Sequence, residues 1–296
     1  MYECRDCGLL FLNPQPTPLE LAAHYPAGYY SFEGERPDVG CGSGHFLAMT
    51  KKVLKVEAYG VEPYSYDDAR DEQVYEALYG RNSSFLKRLR FSPYRVVLRT
   101  MVGRPGQRVL DAAFAEKNNL RIFQGTLEQA SFPDNFFDVI TLNHVFEHLD
   151  DPRPTLRELR RILKHGGTLI LAVPQRSCLL YWLFGRSWVQ LDVPRHLFLP
   201  SRKNLEDLAV SLGFKTKGVR YNGRPEHMLD TLYYWRNGIL GRKRYLYQHK
   251  RGQLAFRALL PLAYLFNFLR VGDQIELLLT TDVRVRPCIS APPESN

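Results

Sequence analysis

Cysteine is scarce in this chain, and no stretch stays apolar for long. The 296 residues contain five cysteines, an odd and scattered number that does not form a disulfide framework. No apolar run reaches the ~20 residues needed to span a bilayer. The N-terminus also lacks the charged and then apolar pattern of a signal peptide. We therefore expect a protein of the reducing cytoplasm.

Acidic residues are fewer than basic ones. Asp and Glu number 31 against 40 Lys and Arg, which gives a formal net charge of +9. A positive surface suits an anionic substrate, a membrane surface or nucleic acid. The chain shows no module in which arginines and aromatic residues are combined for nucleic-acid binding, so a nucleic-acid partner is not expected.

From about residue 120 onward, predicted strands and helices alternate. Residues 120–126 and 136–142 are predicted strands, and residues 150–167 are a predicted helix that Asp150 or Asp151 can cap and Gly166 can end. This alternation predicts an α/β fold with a mainly parallel sheet. The remaining predicted elements are helices at 45–55 and 204–214 and strands at 56–63, 167–174, 213–222 and 273–281.

Residues 40–44, Gly-Cys-Gly-Ser-Gly, have the pattern of a nucleotide-binding turn. Glycines let the backbone pass close to a cofactor where a Cβ would collide, and the amides of the following helix point at the ligand. Glu62, at the end of the next predicted strand, can accept both ribose hydroxyls. Asp38 can accept a hydrogen bond from an ammonium group. The alternative for Glu62 is a solvated strand end.

Four longer stretches carry a family resemblance: "DVGCGSGHFLA", "YGVEP", "IFQGTLEQASFPDNFFDVITLNHVFEHLDDPRPTLRELRRILKHGGTLILAVP" and "LDVPRHLFLPSRKNLEDLAVSLGF". They resemble class I S-adenosylmethionine-dependent methyltransferases, most closely the ubiquinone/menaquinone-type, C-methyltransferase-like branch. The resemblance covers roughly residues 38–215. It implies a Rossmann-like, doubly wound, mainly parallel seven-stranded sheet with helical cap insertions, and S-adenosylmethionine lying over the carboxyl edge.

The resemblance also assigns roles along the chain. It implies that residues 38–44 hold the methionine part of the cofactor and that Glu62 holds the ribose. Thr126 and Leu127 would flank the adenine, although the family often has Asp where Thr126 stands. The implied cofactor-binding residues are Asp38, Gly40, Cys41, Gly42, Gly44, Glu62, Thr126, Leu127 and Asn143.

The order of the segments departs from the family. There, a buried strand runs directly into the glycine loop, whereas here Pro37 and a polar stretch precede it, and Pro cannot donate to a sheet ladder. Placing residues 71–110 ahead of 38–70 restores the family order. Residues 108–110 then become the central strand, and 82–103 become the helix that leads into it. The hypothesis is an exchange of two adjacent blocks, and the alternative is an unfamiliar natural topology.

Three residues after the fourth predicted strand are candidates for chemistry. His144, Glu147 and His148 stand at i, i+3 and i+4 of a predicted helix and so share a face. His144 is a candidate catalytic residue, and in quinone-type relatives a similar set is associated with a divalent metal, here at Glu147 and His148. A purely structural Glu–His pair is the alternative. His196 lies on a predicted loop over the carboxyl edge and suits a general base, against a loop-anchoring role.

The two ends of the chain differ from its middle. Residues 1–30 are predicted as an N-terminal arm with half a cysteine knuckle, Cys4 and Cys7, whose other half is expected upstream because structural zinc requires four ligands. Residues 31–296 are predicted as the methyltransferase domain, with cap insertions at about 175–200 and 222–270. Residues 241–270, basic and then apolar, suit a peripheral membrane contact or a helix packed over the substrate.

These features predict methyl transfer to a small-molecule, sugar-linked or lipid-linked acceptor. A general base helps such a transfer when the acceptor atom is a hydroxyl oxygen or an acidic carbon. The alternative is a rearranged relative that binds without catalysis. Binding of S-adenosylmethionine distinguishes the two.

Overall fold

The computed structural model describes residues 1–17, 47–48, 51–52, 55, 57–62, 96–99, 116, 119, 121–238 and 250–281. The strands in these ranges are β1 Tyr2–Glu3, β2 Leu10–Phe11, β3 Ala58–Glu62, β4 Val96–Arg99, β5 Arg121–Gln124, β6 Phe137–Asn143, β7 Leu163–Pro174, β8 Phe198–Leu199, β9 Phe214–Tyr221 and β10 Gln274–Thr281. The helices are α1 Pro152–Ile162, α2 Leu179–Phe184, α3 Arg202–Ser211, α4 Pro225–Asn237 and α5 Lys250–Phe268.

Seven of these strands form one mixed sheet in the order β5-β3-β4-β6-β7-β10-β9. The neighbours from β5 to β7 pair in parallel, and β10 runs antiparallel to both β7 and β9. A parallel neighbour needs a crossover, and helix α1 provides it between β6 and β7. The predicted Rossmann-like α/β class is observed, with a reversed strand near one edge.

The central position of the sheet corrects the sequence prediction. β4 lies between β3 and β6, and its Val97 pairs with Tyr59 on one side and Ile140 on the other. We predicted residues 108–110 for this position and a helix over 82–103. Val96-Val97-Leu98 instead provides the short apolar run that a strand between two parallel neighbours favours. Residues 108–110, the glycine loop and the three segment joints lie outside the described residues.

Helix α1 is shorter than its predicted span of 150–167. It starts after Asp151, whose Oδ1 accepts the Arg153 amide at 3.0 Å, and it ends at Ile162. Strand pairing overrides helix propensity from there on, because Leu163 pairs with Phe137 of β6. Leu156, Leu159 and Ile162 form the buried face of this helix, and Leu163, the first residue of β7, is buried as well.

Replacing Asp151 with alanine is expected to lower the free energy of unfolding by about 1 kcal/mol, because an amide of the first helical turn loses its acceptor. Urea denaturation measures this difference. Asp150→Ala is the matched control, because Asp150 is an exposed aspartate like Asp151 but does not cap the helix. Equal effects of the two substitutions would show that the loss does not come from the cap.

Two apolar clusters hold the elements together. The larger packs β6, β7 and β10 against α1 and α3. The smaller joins the N-terminal segment to the later helices through Leu10, Cys178, Leu180, Trp188, Leu199, Met228 and Ala263. β1 and β2 also form a three-stranded antiparallel sheet with β8. The first residues of the chain are therefore part of the packed structure.

Candidate functional site

The candidate site begins where β6 ends. Asn143 is the last residue of β6, and His144 has a left-handed φ of 49°, which is uncommon for a residue other than glycine. The His144 amide donates to the Ala172 carbonyl of β7 at 2.9 Å. Instead of the predicted helix, one 3-10 turn at Phe146–His148 follows. This turn still brings Glu147 back toward His144.

Glu147 is a fully buried carboxylate whose partner is a histidine. The His144 Nδ1 lies 3.2 Å from Glu147 Oε1, so the imidazole donates to the carboxylate. Burial on its own raises the pKa of Glu147, but the hydrogen bond and the electrostatic attraction of His144 outweigh burial and lower it. The carboxylate is therefore anionic at neutral pH.

Two further histidines face each other beside Glu147. The rings of His148 and His196 meet edge to face, with centroids 4.6 Å apart. The Nδ1 of His148 lies 2.9 Å from the Arg195 carbonyl, and the Nδ1 of His196 lies 2.7 Å from the Gln190 carbonyl. A carbonyl only accepts, so each Nδ1 carries a proton. In the neutral imidazole this leaves the basic lone pair of both rings on Nε2.

His196 faces two carboxylates. Its Nε2 lies 3.9 Å from Glu147 Oε1 and 3.9 Å from Asp192 Oδ2. These two carboxylates stabilise the ring once it becomes an imidazolium. For His148, by contrast, burial and the neighbouring His196 lower the pKa to about 4, so this ring is neutral at physiological pH.

Acid should destabilise the fold through His148. Its pKa is about 4 in the folded chain and 6.5 ordinarily, so between these values the unfolded chain binds a proton that the folded chain does not. The stability that His148 contributes is therefore complete above about pH 6.5 and is lost, by about 3 kcal/mol in total, as the pH drops through 4. His148→Gln should flatten urea-denaturation stability across this window, and an unchanged slope would contradict the assignment.

A ring of residues that sequence reasoning missed supports the histidines. Arg195 Nε donates to Asp192 Oδ2 at 2.8 Å, which fixes the loop that carries His196. The Gln190 amide nitrogen lies 3.1 Å from the His227 ring nitrogens, and His227 Nδ1 lies 3.0 Å from Asp273 Oδ2. His227 and Asp273 are distant from His196 in sequence. The local signal was therefore limited to Gln190, Asp192 and Arg195, the polar residues of "QLDVPRHLF" that precede His196.

Glu276 is a second buried carboxylate that the sequence analysis did not single out. It lies on β10 opposite Ala172, the residue whose carbonyl accepts the His144 amide. Burial raises the pKa of Glu276, and Asn222 Nδ2 donates to it at 2.6 Å. A charged residue inside the apolar run "QIELLLTT" was the signal that could have identified it.

The predicted cofactor residues fall into three groups. Asp38, Gly40, Cys41, Gly42 and Gly44 lie outside the described residues. Glu62 is the last residue of β3 and pairs with Gln124 of β5, and Asn143 ends β6, so these backbones reach the same edge of the sheet. Thr126 and Leu127 follow β5. Thr126 forms a turn with Gln129, and the Leu127 side chain is fully buried in the core.

Glu147 and His148, the predicted metal pair, lie close to His196 in the structure. One ligand atom each from Glu147, His148 and His196 lies within 4.8 Å of the other two. Glu147 Oε2 is buried and has no hydrogen-bond partner among the described residues. Two imidazole nitrogens and a carboxylate oxygen are a donor set that divalent transition metals accept. These residues therefore fit a divalent metal as well as acid–base chemistry.

A cavity of about 650 Å³ opens beside the loop that carries His196. Its aromatic wall is Tyr181, Trp188 and Tyr234, and its charged lining includes Arg186 and the Asp192–Arg195 pair. Met1, Glu3 and Leu10 of the N-terminal segment close another side. Asp192 thus lines the cavity and lies near His196 Nε2, which connects the cavity to the histidine cluster.

Cys4 and Cys7 form a tight turn in which the Gly8 amide donates to the Cys4 carbonyl at 2.9 Å. Both thiols are free, and Cys7 is exposed. Backbone hydrogen bonds, from Cys7 first, lower the pKa of Cys4. Within the described ranges, neither cysteine belongs to a cluster of three or more metal-ligating side chains.

Comparison with known proteins places the chain in a class. A family described as "Methyltransferase domain" matches residues 38–217, more than half of the chain. The chain therefore belongs to this methyltransferase family. The family supports the Rossmann-like α/β interpretation of the sheet and leaves the methyl acceptor undetermined.

Individual relatives match over short stretches. An uncharacterized methyltransferase of Bacillus subtilis, YcgJ, is 40% identical over 63 residues, which is 20% of this chain and 25% of that protein. The ubiquinone/menaquinone biosynthesis C-methyltransferase UbiE of Shewanella frigidimarina is 39% identical over 54 residues, 18% of this chain and 22% of that protein. The chain thus spans about a quarter of the length of these curated relatives.

Among solved structures, a SAM-dependent methyltransferase of Thermotoga maritima, titled a possible histamine N-methyltransferase, is similar at a TM-score of 0.42. It is 18% identical, and the match covers 82% of this chain and 80% of that one.

Proposed function

We propose that the protein is an S-adenosylmethionine-dependent methyltransferase that acts on a small-molecule, sugar-linked or lipid-linked acceptor, in the UbiE-like branch. The observation that carries the proposal is the buried Glu147–His196 cluster at the carboxyl end of β6. In open α/β sheets, ligands bind outside the carboxyl ends of the parallel strands. A general base at that edge would lie beside a methyl acceptor bound there.

The cofactor would lie along the same edge. β3, β5 and β6 run in parallel within the sheet, so they end on the same side. Glu62 is the last residue of β3, Asn143 is the last of β6, and Thr126 follows β5. Glu62 would accept the ribose hydroxyls and the Asp38–Gly44 loop would hold the methionine part. When bound, S-adenosylmethionine supplies an electrophilic methyl group on a sulfonium, and the protein mainly supplies proximity and orientation.

His196 would serve as the general base. The Gln190 carbonyl holds its Nδ1 proton and thereby directs the Nε2 lone pair toward the cluster. Nε2 takes the proton from the acceptor's hydroxyl or acidic carbon as that atom bonds to the methyl carbon. Glu147 and Asp192 stabilise the resulting imidazolium.

The cavity beside this loop would hold the acceptor. Its aromatic wall suits a planar or apolar group, and Arg186 suits an anionic substituent. α2 and α4, which supply most of this wall, lie within the predicted cap insertions. Specificity would therefore come from the segments 175–200 and 222–237.

A divalent metal is a second candidate for the cluster. The unpartnered Glu147 Oε2 and the Nε2 atoms of His148 and His196 would be its ligands, and the metal would polarise an acceptor oxygen. Titration with Mg²⁺, Mn²⁺ and Zn²⁺ by calorimetry distinguishes this role from a metal-free one. Loss of metal binding in both His148→Gln and His196→Gln would support the metal.

Cofactor binding tests the proposal directly. Glu62→Ala should weaken S-adenosylmethionine binding by about 1.5–3 kcal/mol, the scale for hydrogen bonds to a charged group. Calorimetry measures this affinity, with Glu57→Ala as a control in the exposed residue ahead of the same strand. Unchanged affinity of the Glu62 variant removes Glu62 from the site. No binding by the unaltered chain would favour the non-catalytic alternative.

A further inference from the structure

Helix α5 has two apolar faces, and one of them is exposed. Leu259, Ala263 and Phe266 pack into the smaller core cluster. The opposite stripe is exposed at Leu254, Leu262, Leu265 and Phe268, and Leu269 continues it just past the helix end. Residues 254, 258, 261, 262, 265 and 268 follow helical spacing, so they share one face. An ordinary surface helix presents polar residues there.

Two neighbouring helices extend this exposed surface. α4 packs against both α2 and α5, and the Trp235 ring of α4 lies 6.0 Å from Phe184 of α2. Trp182 is 78% exposed, Trp235 64%, Tyr264 71% and Phe268 82%. We call the following residues the cap face: Trp182, Leu183, Leu232, Trp235, Leu254, Leu262, Tyr264, Leu265, Phe268 and Leu269. So many large, exposed apolar side chains on three helices in contact indicate an interaction site.

Basic residues outnumber acidic ones around the cap face, where the acids of the three helices are the half-buried Glu226 and Asp230 of α4. α2 and α5 contain no Asp or Glu, and Lys250 and Arg251 open α5. Arg236, Arg257 and Arg270 are exposed on or next to α4 and α5. The preceding sequence, "GRKRYLYQH", adds three basic residues and no acid. The partner of this surface is therefore apolar in part and negatively charged.

We infer that the cap face docks on the surface of an anionic phospholipid bilayer. Leu and Phe side chains would enter the acyl boundary, Trp and Tyr would occupy the headgroup level, and the arginines would pair with lipid phosphates. Among the helices of the described ranges, none has the length and hydrophobicity of a membrane span. A second copy of the chain is disfavoured, because like charges would face each other.

Vesicle sedimentation tests this inference without assuming methyl transfer. The intact chain is mixed with vesicles of phosphatidylcholine alone or with added phosphatidylglycerol, at about 0.1 M and about 0.5 M salt. We expect binding to the anionic vesicles, weakened by salt. The triple variant Trp182→Ser, Trp235→Ser, Phe268→Ser should bind at least about tenfold more weakly. Val210→Ser, which removes an exposed apolar residue on α3, should bind like the unaltered chain.

A second variant separates charge from apolar contact. Arg257→Glu with Arg270→Glu should abolish the preference for anionic over neutral vesicles, while the unfolding temperature stays unchanged because both residues are exposed. Equal binding to both vesicle types by the unaltered chain would overturn the inference. So would sedimentation velocity showing a dimer that the triple variant dissociates, since a second copy then covers the cap face.

Discussion

Replacing His196 with alanine is expected to lower kcat by about 10²- to 10⁴-fold while the affinity for S-adenosylmethionine stays within about twofold. The reason is geometric: His196 Nε2 is the basic atom beside Glu147 and Asp192, whereas the ring lies on a loop separate from the predicted cofactor loop. Turnover of methyl-labelled cofactor with an accepted substrate measures kcat, and calorimetry measures cofactor affinity.

Two controls separate catalysis from folding in that experiment. His165→Ala removes an exposed histidine of β7 and should leave kcat unchanged. His196→Gln fills much of the same volume and should retain the fold yet remain inactive. Equal loss of kcat and of cofactor affinity, or wild-type activity in His196→Gln, would assign His196 to loop anchoring instead.

Replacing Glu147 should have effects that depend on what takes its place. Glu147→Gln keeps an acceptor for His144 and almost the same volume, but it removes the charge that stabilises the imidazolium of His196. We expect kcat to fall about 100-fold with only a small change in stability. Glu147→Ala also opens a cavity and leaves the His144 N–H unpaired, so it should lower the free energy of unfolding by about 2–4 kcal/mol.

Thermal denaturation and turnover together measure these two Glu147 variants. The informative comparison is between the losses in free energy of unfolding of the two variants, because both remove the same negative charge. If Glu147→Gln retained full activity, the carboxylate would serve only to hold His144 in its left-handed conformation. A matched loss of stability in both variants would point to the charge itself as the stabilising element.

Local patterns predicted much of the sheet. The strands β3, β5, β6, β9 and β10 fall within or close to their predicted spans, and the apolar runs of β6 and β10 gave the strongest local signal. Helix α3 overlaps its predicted span of 204–214, but it starts earlier, after the capping residue Ser201, and ends at Ser211. The end of α1 was wrong, since pairing of Leu163 with Phe137 is a long-range contact that no local signal reports.

The candidate site was predicted only in part. His144, Glu147, His148 and His196 were identified by residue type and position, and the structure brings all four together. Their arrangement could not be predicted, because it depends on the 3-10 turn at Phe146–His148 and on the hydrogen bonds of His148 and His196 to carbonyls of residues 190–195. The central strand was assigned to the wrong segment, because residues 96–99 were placed inside a predicted helix over 82–103 and residues 108–110 were chosen as the strand that enters the glycine loop.

A crystal structure of the intact chain with S-adenosylhomocysteine tests the central claim most directly. The account predicts the ligand across the carboxyl ends of β3, β4 and β6, with Glu62 on the ribose and the sulfur facing the cavity beside His196. Continuous density from residue 37 to 38, 70 to 71 and 110 to 111 would also establish the order of the segments. A ligand bound elsewhere, or a sheet whose central strand is not Val96–Arg99, would contradict the account.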